Sequence, residues 1–191
     1  MNSVRVGFAM CGSFCTFSQV IPQIEHLKDA GADIQPIMSE TAYSTDTRFG
    51  NSIDFIHKIE TICQKPIIHT IKSAEPIGPK KLLDILVVAP CTGNTLSKIA
   101  NAITDSSVTM AVKANLRNER PVLLAVSTND GLSSSASSIG TLLCKKNVFF
   151  VPFRQDDPYN KPRSLVADFK QIIPSIHNAL DGRQIQPLLC K

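Results

Sequence analysis

Ile85-Leu86-Val87-Val88-Ala89-Pro90-Cys91-Thr92-Gly93-Asn94-Thr95 runs from a short apolar segment into a turn of small polar residues. Residues 85–89 are apolar on both faces, as in a parallel strand covered by helices on each side. Helical spacing resumes beyond the turn and predicts a helix over 95–103. Asn94 or Thr95 suffices to cap that helix. A proline-fixed entry, a glycine and three hydrogen-bonding side chains exceed what a cap requires. The turn 89–95 therefore reads as an anion-binding loop at a helix start, with Pro90, Thr92, Gly93, Asn94 and Thr95 as its candidate contacts.

The same alternation extends in both directions. Residues 4–10, 33–38, 67–71, 122–126 and 148–152 read as further strands. Helices are expected over 18–30, 52–63, 134–146 and 164–180, the last kinked or split by Pro174. Gly31 suits the C-terminal cap of the first helix. Strands alternating with helices of this length predict an α/β fold: one Rossmann-like, doubly wound, mostly parallel sheet. No repeat or linker divides the chain, so residues 1–191 read as a single domain. Residues 182–191 form either an exposed tail or an arm onto a neighbouring subunit.

The charge of +4 is small and scattered over 191 residues, which argues against a nucleic-acid-binding surface. Charged residues make up 19% of the chain, a low share that fits buried parallel strands or subunit interfaces. The apolar start is too short for a leader or a membrane span, and the expected location is the cytoplasm. Six cysteines without C-x-x-C spacing and four dispersed histidines predict reduced thiols and no metal site.

In open α/β sheets, ligands collect beyond the C-terminal strand ends. Three further turns occupy such positions. Gly12 and Ser13 follow the first strand, Ser39 follows the second, and Ser127, Thr128 and Asn129 follow the strand over 122–126. Glycine permits close backbone approach, and the hydroxyls can hold phosphate or carboxylate. Asn94 is the best single candidate, because its amide both donates and accepts. Arg154, Lys161 and Arg163 follow the last strand and are the candidate cations for an anionic substrate. Asp156 and Asp157 either order that loop or act as a base. Cys91 reads as buried filler in preference to a redox thiol. No catalytic residue is assigned.

The 90–95 turn resembles the Pro-x-Ser-Ala-Asn-Thr motif of the flavoprotein family that includes flavin-containing cysteine decarboxylases. Thr92 and Gly93 stand where that motif has Ser and Ala, and Gly12-Ser13 matches the family's first flavin loop. The resemblance implies the flavoprotein fold, FMN or a phosphate in its place, and a homo-oligomer built of trimers. Five blocks, the same turn at 89–95 and four others at 74–80, 127–131, 151–156 and 161–165, resemble a two-subunit synthase branch. That branch implies aromatising oxidation of a cyclic dicarboxylate in the mother cell of a sporulating bacterium, with NAD(P) on a partner subunit. The decarboxylases' histidine base has no convincing counterpart in Ile68-His69-Thr70-Ile71. Their later substrate-gripping segment is reduced to Thr128-Asn129-Asp130, and the chain has no tryptophan. Two alternatives stand beside the synthase reading. One is a self-sufficient homo-oligomeric flavoenzyme of decarboxylase or flavin prenyltransferase type, and the other a non-catalytic scaffold.

Overall fold

A computed structural model describes Met1 and residues 3–190; Lys191, the end of the expected tail, lies outside the described residues. The strands are β1 (Arg5–Met10), β2 (Asp33–Met38), β3 (Ile85–Cys91), β4 (Val122–Thr128), β5 (Val148–Phe150), β6 (Phe153–Arg154) and β7 (Leu165–Ala167). The helices are α1 (Phe17–Asp29), α2 (Glu40–Ser44), α3 (Ser52–Cys63), α4 (Ile71–Ala74), α5 (Gly93–Ala100), α6 (Ser107–Arg117), α7 (Ala136–Leu143) and α8 (Ile172–Leu180). All seven residues of β3 are buried, and this strand lies between β1 and β4. The parallel order is β2-β1-β3-β4-β5. The order in which strands are added thus reverses between β1 and β3, the crevice where doubly wound sheets bind ligands. Helices α1, α3 and α8 pack over one face, and α4, α5, α6 and α7 over the other.

One edge of β4 serves two partners. Val122–Leu124 pairs with β5 in parallel, and beyond them Ser127 and Thr128 pair antiparallel with Val166 and Leu165 of β7. This second pairing carries the loop 155–164 to the ligand end of the sheet. β6 pairs with β7, and the described part of the tail runs alongside it: Phe153 N donates to Leu188 O (3.0 Å) and Cys190 N to Phe153 O (3.1 Å). The Gln184 amide closes the free edge of β5, donating to Phe150 O at 2.7 Å and accepting from Phe150 N at 2.8 Å.

Several expected elements differ. Residues 67–71 do not form a strand; Ile68 alone bridges Ile37, and Thr70 then caps α4. The helix expected over 164–180 begins only at Ile172, because Leu165–Ala167 pairs as β7 and Asp168 caps a 3-10 turn. Pro174 sits in the first turn of α8, where its missing N–H costs nothing, so it neither kinks nor splits the helix. Helix α6 was not anticipated. Its capping box of Ser106 and Thr109 and its buried Val108, Ala111, Val112 and Asn115 are the available signals.

The end of the sheet away from the site is tied by Asp84. Its carboxylate accepts from Arg5 N (2.9 Å), Arg5 Nη2 (2.6 Å) and Arg120 Nη1 (2.6 Å), joining the starts of β1 and β3 to the approach of β4. The Arg5 hydrogen bond is the main cause, reinforced by Arg120, that holds the Asp84 carboxyl down at about 2 despite partial burial. A depressed carboxylate stabilises the fold above its unfolded pKa of about 4 and loses that contribution as pH falls toward 2. With solvent screening, Asp84→Asn is expected to cost about 1 kcal/mol at pH 7. Urea unfolding at stepped pH should show that difference shrinking between about pH 4 and pH 2.

Candidate functional site

Beyond the C-terminal ends of β1, β3 and β4 lies a cleft of about 580 Å³. A second cavity of about 480 Å³ adjoins it, and Gly12, Thr92 and Asn94 line both. The main-chain turn after β1 is held by Ser13 N to Cys11 O (2.8 Å) and by Thr16 Oγ1 to Ser13 O (2.8 Å). Cys11 N donates to Pro90 O (3.3 Å), clamping this turn against β3. Across the cleft floor, Ser13 Oγ lies 2.8 Å from Ser127 Oγ, so hydroxyls from β1 and β4 converge on one point.

The loop after β3 opens α5. Thr92 is its cap, accepting from Thr95 N at 3.2 Å. Thr95 is buried, and its hydroxyl donates to Cys11 Sγ at 3.3 Å. With capping done by Thr92, Asn94 is left exposed in the first turn between the two cavities, its amide unbonded among the described residues. The first amides of a helix lack intrahelical acceptors, so the start of α5 presents N–H donors beside Asn94. Gly93 fits because its neighbours leave no space. A Cβ there would lie 2.5 Å from Ser135 Oγ and 2.7 Å from both Asp130 Oδ1 and Thr128 Oγ1. Those three side chains are bonded together, Thr128 and Ser135 both donating to Asp130 Oδ1 at 2.5 and 2.8 Å.

The cleft thus gathers Gly12, Ser13, Thr92, Gly93, Asn94, Ser127, Thr128, Asn129 and Lys161 of the expected residues. Ser39 and Thr95 line the adjoining cavity, where Ser39 also caps α2 by accepting from Ala42 N (3.2 Å). Pro90 lies inside β3 and lines neither cavity, and Arg154 and Arg163 are exposed and line neither. Sequence reasoning missed Thr47 and Phe49, from the loop before α3, and Phe14, Asp130, Ser164, Leu165 and Val166. Leu165 and Val166 were hidden inside an expected helix. Asp130 was within a recognised turn, but its bonds to Thr128 and Ser135 carry no mark in the sequence.

The adjoining cavity is built differently. Glu40 accepts from Ser107 N at 3.1 Å and holds the start of α6. Lys98 is paired there with Asp105 at 2.8 Å. The thiols beneath the loops are protonated. Burial pushes Cys11 up to about 11 and Cys91 well above its ordinary value, so neither is a nucleophile near neutral pH. Among the described residues no histidine lines either cavity. His69 instead stacks on Tyr43, ring centroids 3.8 Å apart.

The flavoprotein family model matches residues 1–157. A dipicolinate synthase subunit of Bacillus subtilis (strain 168) is 48% identical over 99% of this chain and 94% of its own. The crystal structure of the corresponding dipicolinate synthase subunit from Bacillus halodurans C superposes with a TM-score of 0.92 at 47% identity, covering 100% of this chain and 99% of the other. The FMN-dependent cysteine decarboxylase SpaF shares the fold at 20% identity and a TM-score of 0.68, over 93% of this chain and 95% of its own. No helix among the described residues is long and apolar enough to cross a membrane. By sequence and by fold the chain belongs to the flavoprotein family, and within it stands with the dipicolinate synthase subunits of these two Bacillus species.

Proposed function

We propose that this chain is the flavin-binding subunit of a dipicolinate synthase. In this reading it acts in the cytoplasm of a sporulating mother cell, beside a second, different subunit that carries NAD(P). The reaction is oxidation of dihydrodipicolinate, or of its hydrated precursor, to dipicolinate. Loss of one hydride and one proton makes the dihydropyridine ring aromatic. The observation that carries the reading is near full-length identity of 48% to a dipicolinate synthase subunit, in a chain whose cleft lies at the switch point of the sheet.

The residues present fit FMN. A cleft of about 580 Å³ falls within the range of about 300–1,000 Å³ usual for small-molecule and cofactor sites. Ser13, Thr92 and Ser127 supply hydroxyls, the start of α5 supplies amides, and Asn94 has an unbonded amide, a donor set suited to a phosphate and a polyhydroxyl chain. Phe14 and Phe49 line the same cleft and offer apolar faces to a planar ring. Bound flavin supplies a two-electron acceptor. The chain's own part is to hold and orient: donors from β1, β3, β4 and α5 fix the anionic groups, and Lys161 at the mouth meets a carboxylate.

Fluorescence titration of the purified protein with FMN should show saturable quenching. Asn94→Ala should weaken that binding about tenfold with little change in thermal stability, since the lost amide is exposed and unbonded in the free protein. Gly93→Ala should do both, weakening FMN and costing about 1–3 kcal/mol of stability, because its methyl group collides with Ser135, Asp130 and Thr128. Assays of the two subunits, separately and mixed, should find full dihydrodipicolinate oxidation only in the mixture. Full activity of this chain by itself would refute the two-subunit reading.

A further inference from the structure

Lys161 is the one basic residue lining the larger cleft among the described residues, and two carboxylates, Asp130 and Asp156, line it as well. Asp130 is occupied by the hydroxyls of Thr128 and Ser135. Asp156 is instead turned to the lysine, Oδ2 lying 3.4 Å from Lys161 Nζ, and the lysine side chain is 60% exposed. The loop that carries both is braced by its main chain and by polar side chains. Lys161 N donates to Asp157 O (2.8 Å), Ser164 N to Lys161 O (3.0 Å), and Gln155 Nε2 to Pro162 O (2.9 Å). Asn160 N adds a bond to Asp157 Oδ1 at 3.1 Å. The backbone of Lys161 is thus fixed while its ammonium group remains free to change partners.

We propose that Asp156 is a resident counter-ion, displaced from Lys161 by the carboxylate of an incoming ligand, and that this exchange sets which anions the cleft accepts. The inference rests on the reading of the cleft as a carboxylate site. A long, exposed ion pair is worth at most about fivefold in an equilibrium constant, so a ligand that also gains further contacts within the cleft overcomes it. A simple anion that gains only the lysine does not, because the tethered Asp156 is always beside it. Burial raises the Asp156 carboxyl, but hydrogen bonds from Ser164 and the backbone, with Lys161, outweigh it and leave the group below its ordinary value. The competitor is therefore charged throughout the neutral range. Removing it should strengthen the binding of an anion and leave a neutral ligand of the same shape unaffected.

Calorimetric titration with pyridine-2,6-dicarboxylate, and with the neutral pyridine-2,6-dicarboxamide, tests this on wild type, Asp156→Asn, Asp156→Glu, Lys161→Met and the Asn/Met double variant. Asp156→Asn should bind the dicarboxylate about fivefold tighter, and Asp156→Glu should bind it as wild type does. Lys161→Met should bind it at least tenfold weaker, by roughly the loss of one charged partner. The double variant should match Lys161→Met, and the dicarboxamide should not distinguish the five proteins. Unchanged or weaker binding by Asp156→Asn overturns the proposal. So does a gain that persists in the double variant, or dicarboxylate binding absent from both wild type and Asp156→Asn. FMN titration of the same samples reports separately on the cofactor, so loss of the counter-ion role and loss of the flavin reading are told apart.

Discussion

Everything in this molecule is arranged around a strand that cannot reach water. Every residue of β3 is buried, and a parallel strand of that kind is stable only with strands on both edges and helices on both faces. β1 and β4 supply the edges. The chain therefore has to leave β1 in one direction for β2 and return on the other side for β3, which opens the crevice between their loops. Position alone then brings the turns after β1, β3 and β4 within hydrogen-bonding distance. The bond between Ser13 and Ser127, 114 residues apart in the chain, is a direct product of that order.

The central strands were legible because continuous apolar runs of this short length, bounded by small polar residues, have few other uses. The same logic located most of the cleft-lining turn residues, since site position follows strand position in this architecture. Elements that depend on a tertiary partner were not legible. Leu165–Ala167 is apolar and follows helix-compatible spacing, and only its pairing with the end of β4 and with β6 makes it a strand. Ile67–Ile71 has the opposite history: it looks like a strand, but β2 offers it a single bridge at Ile37. In the site, Phe49 and Thr47 arrive from a loop whose approach is set by Asp46, which holds the start of α3 by accepting from Ser52 N at 2.7 Å. Nothing in the spacing of those residues points to the cleft.

The cleft combines apolar faces with small polar groups, and with two aspartates and one lysine in its lining it carries no net cationic charge. Its donors are hydroxyls and main-chain amides, and its lysine is partnered. Such donors are oriented by the fold and carry no large desolvation penalty, whereas an unpaired arginine in the same place would have to be compensated. An environment of this kind suits a ligand held by many modest bonds.

Gly93 shows how tightly two distant segments specify one another. The related motif has alanine at this place in the loop, and here the Cβ position is filled by Ser135 Oγ, Asp130 Oδ1 and Thr128 Oγ1 at 2.5 to 2.7 Å. Those three atoms are held by their own hydrogen bonds, so they cannot step back without leaving a half-buried carboxylate short of donors, which is costly. The glycine is therefore the counterpart of the Thr128–Asp130–Ser135 cluster: one allows the other. Gly131 repeats the pattern, since a Cβ there would meet Leu165 of β7 at 2.8 Å. The two glycines let the loop after β4 press against α5 on one side and β7 on the other. That close packing stations Asn94 between the two cavities and carries Lys161 to the mouth of the larger one. The departures from the decarboxylase motif are thus a matched set, and restoring alanine at position 93 alone would undo the packing that the rest of the set has made.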